Sequence, residues 1–150
     1  MEALFALLHH LAAFALVACL LTEWSLLRTP PDVARARQLL ATDLAYGLCA
    51  LLLLAFGAAR VLWFGKGLDY YLGNAFFHAK LGAFLLMGLL SAAPTRTFLG
   101  WRAALRRQQV PDASPRELAR LRAILLSELA LVPPILLCAV LMARGHGLLD

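Results

Sequence analysis

Four long apolar stretches constrain the fold of this chain more than any other feature of its sequence. They run from about residue 3 to 27, 40 to 64, 75 to 99 and 121 to 144. A helix needs roughly 20 mostly apolar residues to cross about 30 Å of hydrocarbon, so each stretch can span a bilayer. None of them alternates every second residue, as the strands of a membrane β-barrel do. The sequence therefore predicts an all-α fold, a four-helix bundle that forms a single integral membrane domain over residues 1–150.

The composition agrees with a location in lipid. The chain of 150 residues is 62% hydrophobic and 15% charged, whereas a soluble domain carries about 25% charged residues. A soluble domain of this size would still expose about 30% of the surface of its unfolded chain, which is too much for so apolar a sequence. We expect a multi-pass protein of a bacterial inner membrane, with the lipid bilayer as its main partner.

The first apolar stretch contains Leu16-Val17-Ala18-Cys19, which resembles the cleavage box of a lipoprotein signal peptide. No basic residue precedes it, and Leu20 and Leu21 follow where a polar mature start would be expected, so we expect a retained spanning helix. The cysteines stand alone in apolar surroundings and indicate small core residues: Cys19, Cys49 and Cys138.

The basic residues predict the orientation of the bundle. Ten of the fourteen lie in or beside the first and third loops: Arg28, Arg35, Arg37, Arg96, Arg102, Arg106, Arg107, Arg116, Arg120 and Arg122. Cytoplasmic loops carry such an excess of positive residues, so both termini are predicted to face the non-cytoplasmic side.

No nucleic-acid-binding motif accompanies the net charge of +5, and we expect no nucleic-acid partner. Ser114, Pro115 and Glu117 form a capping box that predicts the start of the last helix near Pro115.

This topology brings polar residues to a similar depth near the outer surface: His9 or His10, Arg60, His78 and Lys80. Imidazoles on separate helices of a small bundle suit the axial ligation of haem b, so His10 and His78 are the candidate metal ligands. Arg60 and Lys80 are candidate partners of the haem propionates. The alternative is structural, because an intramembrane histidine can pack against a carbonyl and a long basic side chain can reach the headgroups.

Acidic residues gather in the inner half of the predicted bundle: Glu23, Asp43 and Glu128. Ionisable residues inside a membrane mark proton or substrate paths by default. We therefore expect Glu23 to take part in proton movement.

Two short motifs resemble the HemJ-type protoporphyrinogen oxidases. These are FHAKL at residues 77–81 and HHLAAF at residues 9–14. Almost the whole chain resembles, more closely, a family of bacterial four-helix membrane proteins related to HemJ and to the membrane domain of the copper-resistance protein CopD. The segments that carry this second resemblance are HHLAAFALVA, YYLGNAFFHAKLGAFLLMGLLSAAPT and LMARG. The HemJ resemblance implies haem b ligated by His10 and near His78 or Lys80, and oxidation of a tetrapyrrole.

The choice between the two adjacent histidines stays open. The resemblance favours His10, whereas helical phase favours His9, which shares a helix face with Glu23 at about 100° per residue. The leading prediction is a haem b-binding membrane protein of redox type, a candidate oxidoreductase, with a quinone or a tetrapyrrole as its partner. The alternatives are a cofactor-free accessory subunit, with a homodimer formed along Gly82, Gly88 and Ser91, and a CopD-like transporter of copper or a small solute.

Overall fold

Four long helices make up most of the molecule. The computed structural model describes residues 1–149. In chain order the helices are α1 (Glu2–Leu26), α2 (Val33–Ala59), α3 (Leu68–Leu72), α4 (Ala75–Gly100), α5 (Arg102–Arg106) and α6 (Pro115–Ala143). A π-helical turn, Arg60–Phe64, continues α2, and the helices α3 and α5 are single short turns beside the long ones. The described residues contain no β-strand beyond one isolated bridge, between Asn74 and Leu148.

The long helices are membrane-spanning by length and composition. Four helical segments of the described chain are long and apolar enough to cross a bilayer: Glu2–Leu26, Val33–Phe64, Ala75–Arg106 and Pro115–Ala143. This confirms the prediction of an all-α, four-span membrane protein. Because the number of spans is even, both termini lie on one side of the membrane, which we call the terminal side. The opposite side, with the two arginine-rich connections, is called the arginine side.

Helix starts on the arginine side follow local capping rules. The Ser114 hydroxyl accepts a hydrogen bond from the Glu117 amide at 3.2 Å, and α6 begins at Pro115, as the capping box predicts. At the start of α2, the Asp32 carboxylate accepts from the Arg35 amide at 2.8 Å. Therefore α2 begins at Val33 rather than near residue 40, because a capped polar turn extends the helix beyond its apolar stretch.

The long helices pack as two pairs, α1 with α2 and α4 with α6. Contacts of α1 with α6 and of α2 with α4 close the bundle, so α1 and α4 lie diagonally, and their backbones do not approach each other closely within the described residues. The most deeply buried apolar side chains belong to the arginine half, among them Leu20, Leu39, Phe98 and Leu125. Many leucines on the outer faces are exposed to the surroundings, as expected of helices that contact lipid.

The terminal side is closed by the C-terminal tail. Asn74, which is fully buried, accepts hydrogen bonds from the Phe76 and Phe77 amides and donates to the His146 carbonyl at 2.9 Å. The connection from residue 65 to 74 contains the helix α3. From α3 the Tyr70 hydroxyl donates to the Met142 carbonyl at 2.6 Å. These bonds attach the start of α4 to the end of α6.

Candidate functional site

A group of three basic side chains lies in the terminal half, and we call it the basic cluster: His9 on α1, Arg60 on the π-helical turn and Lys80 on α4. All three are partly buried. Arg60 and Lys80 are the two charged residues whose fields act most strongly on His9. The Arg60 Nε atom is buried without a hydrogen-bond partner. The structure thus brings together three of the residues that the sequence singled out, on three separate segments.

His9 faces into the bundle. Its Nδ1 atom lies 3.1 Å from the Leu53 carbonyl of α2, and its ring covers Gly57, where an added Cβ would come within 3.3 Å of the ring. The Nδ1 atom donates this bond, because a carbonyl oxygen can only accept. Nε2 then carries the free lone pair, the state in which a histidine ligates a metal.

His10 and His78 lie on the outside of the bundle. The His10 Nδ1 atom is 2.6 Å from the Ala6 carbonyl of its own helix, and the His78 Nε2 atom is 2.8 Å from the Leu72 carbonyl. Both side chains are exposed, and the backbones of their helices α1 and α4 do not approach each other closely. The structure therefore does not bring this predicted pair to a common interior space, and it turns His9 inward instead.

The donor set of the basic cluster fits the chemistry of a haem. An imidazole with one free nitrogen can bind iron, and two cations can pair with two propionates. Arg60 has a buried nitrogen without a partner, which is consistent with a place for an anionic group. The His9 ring covers the small residue Gly57 and would have to move for a flat ring to pack there.

A second polar group lies in the arginine half, and we call it the acidic cluster: Glu23 on α1, Asp43 on α2 and Glu128 on α6. Their side chains are only 1%, 3% and 0% exposed. The charged groups acting on Glu23 are the other two carboxyls, Asp43 and Glu128. The structure thus shows that the three acidic residues gather, as the topology predicted.

Two hydroxyl groups that the sequence reasoning missed complete this cluster. The Tyr46 hydroxyl donates to Glu128 Oε2 at 3.0 Å, and the Thr95 hydroxyl of α4 donates to Asp43 Oδ1 at 2.7 Å. All four long helices therefore contribute a side chain. Tyr46 follows Asp43 by three residues, and this spacing places both on one helix face. The sequence could therefore have predicted that Tyr46 belongs to the cluster. Thr95 had no comparable signal, because its role depends on how α4 packs against α2.

The remaining potential metal donors are dispersed. Within residues 1–149, no group of three His, Cys, Asp or Glu side chains is placed to hold a metal ion. The cysteines are free and partly buried: Cys19, Cys49 and Cys138. A haem needs only one or two protein ligands, so this finding concerns sites made wholly of protein donors.

The fold places the chain among small four-helix membrane proteins. Residues 1–147 match the family described as "Predicted membrane protein (DUF2214)", and the chain belongs to that family. No curated protein and no solved structure gives a significant match.

Proposed function

We propose that the protein is a membrane protein of redox type that binds haem b at the basic cluster. The observation that carries the proposal is the orientation of His9, whose Nδ1 atom is held by the Leu53 carbonyl at 3.1 Å while Nε2 is left free. Arg60 and Lys80 act on the same ring. An imidazole with a fixed tautomer beside two cations suits an anionic ring that carries a metal.

The three residues of the basic cluster would have separate roles. His9 would hold the iron, and Arg60 and Lys80 would pair with the propionates. When bound, the haem supplies reversible one-electron transfer. The proposed electron partner is a quinone or a tetrapyrrole, and the HemJ resemblance implies only the tetrapyrrole. His10 and His78, the ligand pair implied by sequence, could serve only after leaving their bonds to Ala6 and Leu72.

Absorption spectra of the purified protein test this function. We expect a Soret band in the oxidised protein and resolved α and β bands after reduction with dithionite. His9→Ala should lose most of the haem, His10→Ala and His78→Ala should lose less, and His146→Ala in the exposed tail should match the wild type. Equal haem content in all four variants would refute ligation by histidine.

One observation favours a second candidate, a cofactor-free accessory subunit. His9, His10 and His78 each have a backbone carbonyl within hydrogen-bond distance, so each is satisfied without a cofactor. A colourless protein that takes up no added hemin would establish this candidate.

The homodimer predicted for it would use Gly82 and Gly88, where an added Cβ meets no atom within 4 Å. Dimer loss in a Gly88→Leu variant, measured by crosslinking, tests that interface. No observation favours copper or solute transport.

The orientation and location of the chain belong to the same proposal. We place both termini on the non-cytoplasmic side of a bacterial inner membrane, because the basic residues concentrate in the two loops of the arginine side. A phosphatase fused to the C-terminus should be active in cells, since that enzyme folds only outside the cytoplasm. An inactive fusion that is present at normal levels would reverse the orientation.

A further inference from the structure

We propose that the acidic cluster is a proton-binding site that exchanges protons with water on the arginine side of the membrane. The site consists of Glu23, Asp43 and Glu128, with Tyr46 and Thr95 as hydrogen-bond donors. Each carboxylate takes up one proton and becomes a neutral carboxylic acid, and the same proton returns to water on release. No electron moves in this step, so the inference does not depend on the cofactor of the basic cluster.

Each carboxyl of the acidic cluster has a buried oxygen without a partner. Glu23 Oε1, Asp43 Oδ2 and Glu128 Oε1 are all buried without a hydrogen-bond partner. Buried carboxyl oxygens are almost always paired, because an unpaired ionised one loses its hydration at a cost of several kcal/mol. In each of Asp43 and Glu128 the other oxygen already accepts one hydroxyl. The free oxygen of each side chain is therefore the place for an additional proton.

The groups that surround these carboxyls are acidic, not basic. The titratable groups that act on Glu23 and Glu128 are the other carboxyls of the cluster and the Tyr46 hydroxyl. From α1 and α2, the thiols of Cys19 and Cys49 also lie close to this region, and Glu23 acts on Cys19. Three carboxylates together would repel one another, and proton uptake removes that repulsion.

A proton fits this geometry better than a metal ion. Within residues 1–149, no three carboxyl, thiol or imidazole groups are arranged to surround a metal ion. Calcium and magnesium require six or more oxygens around one point. Protons can instead be distributed over three separate carboxyls, each with its own hydrogen-bond partners.

The cluster lies close to water on the arginine side. A recess of about 310 Å³ opens there between α1 and α6, and Leu27, Arg28, Leu118 and Arg122 are among its lining residues. Leu27, at the inner wall of the recess, donates its backbone amide to the Glu23 carbonyl at 3.0 Å. The recess is thus one helical turn from the first carboxyl of the cluster. A shallow groove between α1 and α2, lined by Cys19, Thr22 and Thr42, approaches the cluster from lipid.

Infrared difference spectroscopy tests the site in the full chain reconstituted in lipid vesicles. When the pH is lowered, we expect the C=O band of a protonated carboxyl to appear. The band should shift in D₂O. Glu23→Gln, Asp43→Asn and Glu128→Gln should each remove part of the band. Glu117→Gln, on α6 but outside the cluster, should leave the spectrum unchanged. A band that never changes with pH, or one that survives in all three cluster variants, would overturn the proposal.

A hydrophobic carbodiimide gives a second measurement that needs no variant. The reagent reacts with a protonated carboxyl and adds to its oxygen, and mass spectrometry identifies the labelled residue. We expect labelling within the acidic cluster that falls as pH rises and does not respond to sodium ions. Protection by sodium at constant pH would show a cation site in place of a proton site. Absence of any label in the cluster over the whole pH range would contradict the proposed protonation.

Discussion

The two halves of this protein differ in the hydrogen-bond partners of their polar side chains. In the terminal half, polar side chains bond to backbone carbonyls, as His9 does to Leu53 and Asn74 to His146. In the arginine half, they bond to one another across helices, as Tyr46 does to Glu128. Both arrangements give partners to some of the polar groups that lipid cannot hydrate. Arg60 Nε and one oxygen of each side chain of the acidic cluster stay without a partner. Only the second arrangement depends on the identity of two side chains at once.

The difference predicts how each half responds to substitution. A backbone carbonyl stays in place when a neighbouring side chain is changed, so bonds to it are nearly independent. A side-chain partner disappears with its residue, and the remaining group is then buried without a partner. The basic cluster is also only half-buried, whereas the acidic cluster is at most 3% exposed. We therefore expect stability to depend more on the acidic cluster.

The largest expected effect comes from Glu128→Ala. This change leaves the Tyr46 hydroxyl unpaired and opens a cavity at a position with 0% exposure, so we expect a loss of about 2–4 kcal/mol in the free energy of unfolding. Lys80→Ala in the basic cluster should cost less than about 1 kcal/mol, because a half-buried lysine can extend to the headgroups. Unfolding in mixed micelles with SDS measures both, and a larger loss for Lys80→Ala would reverse the comparison.

A smaller effect is expected from Asn74→Ala, which removes the cap of α4 on the terminal side. Asn74 is fully buried and also bonds to the tail, so we expect a loss of about 2 kcal/mol. The matched control is Asp32→Ala at the exposed cap of α2, with an expected loss of about 1 kcal/mol. The same unfolding titration compares them, and equal losses would mean that the attachment of the tail adds no stability.

A double-mutant cycle tests directly whether the bonds of the acidic cluster depend on one another. Tyr46→Phe and Glu128→Ala each remove the hydrogen bond that joins the two residues, so their cycle should show a coupling energy of about 1 kcal/mol. The cycle of His9→Ala and His78→Ala should show a coupling below about 0.5 kcal/mol, because these residues bond to separate carbonyls on separate helices. Similar couplings in both cycles would remove the proposed distinction between the two halves.

An effect of similar size concerns packing at the basic cluster. Gly57→Ala places a methyl 3.3 Å from the His9 ring, whereas the equivalent methyl at Gly47, on the same helix, meets no atom within 4 Å. We expect Gly57→Ala to be less stable than Gly47→Ala by about 1 kcal/mol, since the ring has to move. Haem content should fall in the first variant only. Identical stability and haem content would show that the His9 position is not constrained.

Much of the fold follows from local properties of the chain. Apolar length predicts the four spans, and capping chemistry predicts the start of α6 at Pro115. The gathering of Glu23, Asp43 and Glu128 follows from span direction and residue count alone. The face of each helix was harder to predict. Helical phase points His9 inward with Glu23, whereas resemblance favours His10, which is exposed in the structure.

By itself, the sequence determines that the chain is helical, spans a membrane four times and carries charge asymmetrically, because each of these properties depends on residues close together in the chain. Only the tertiary structure decides that His10 and His78 face outward, each beside its own backbone carbonyl, while His9 faces into the bundle. It also decides that Thr95 meets Asp43 and that Tyr46 meets Glu128. These contacts depend on the rotation and crossing of packed helices, and no local pattern in the sequence specifies them.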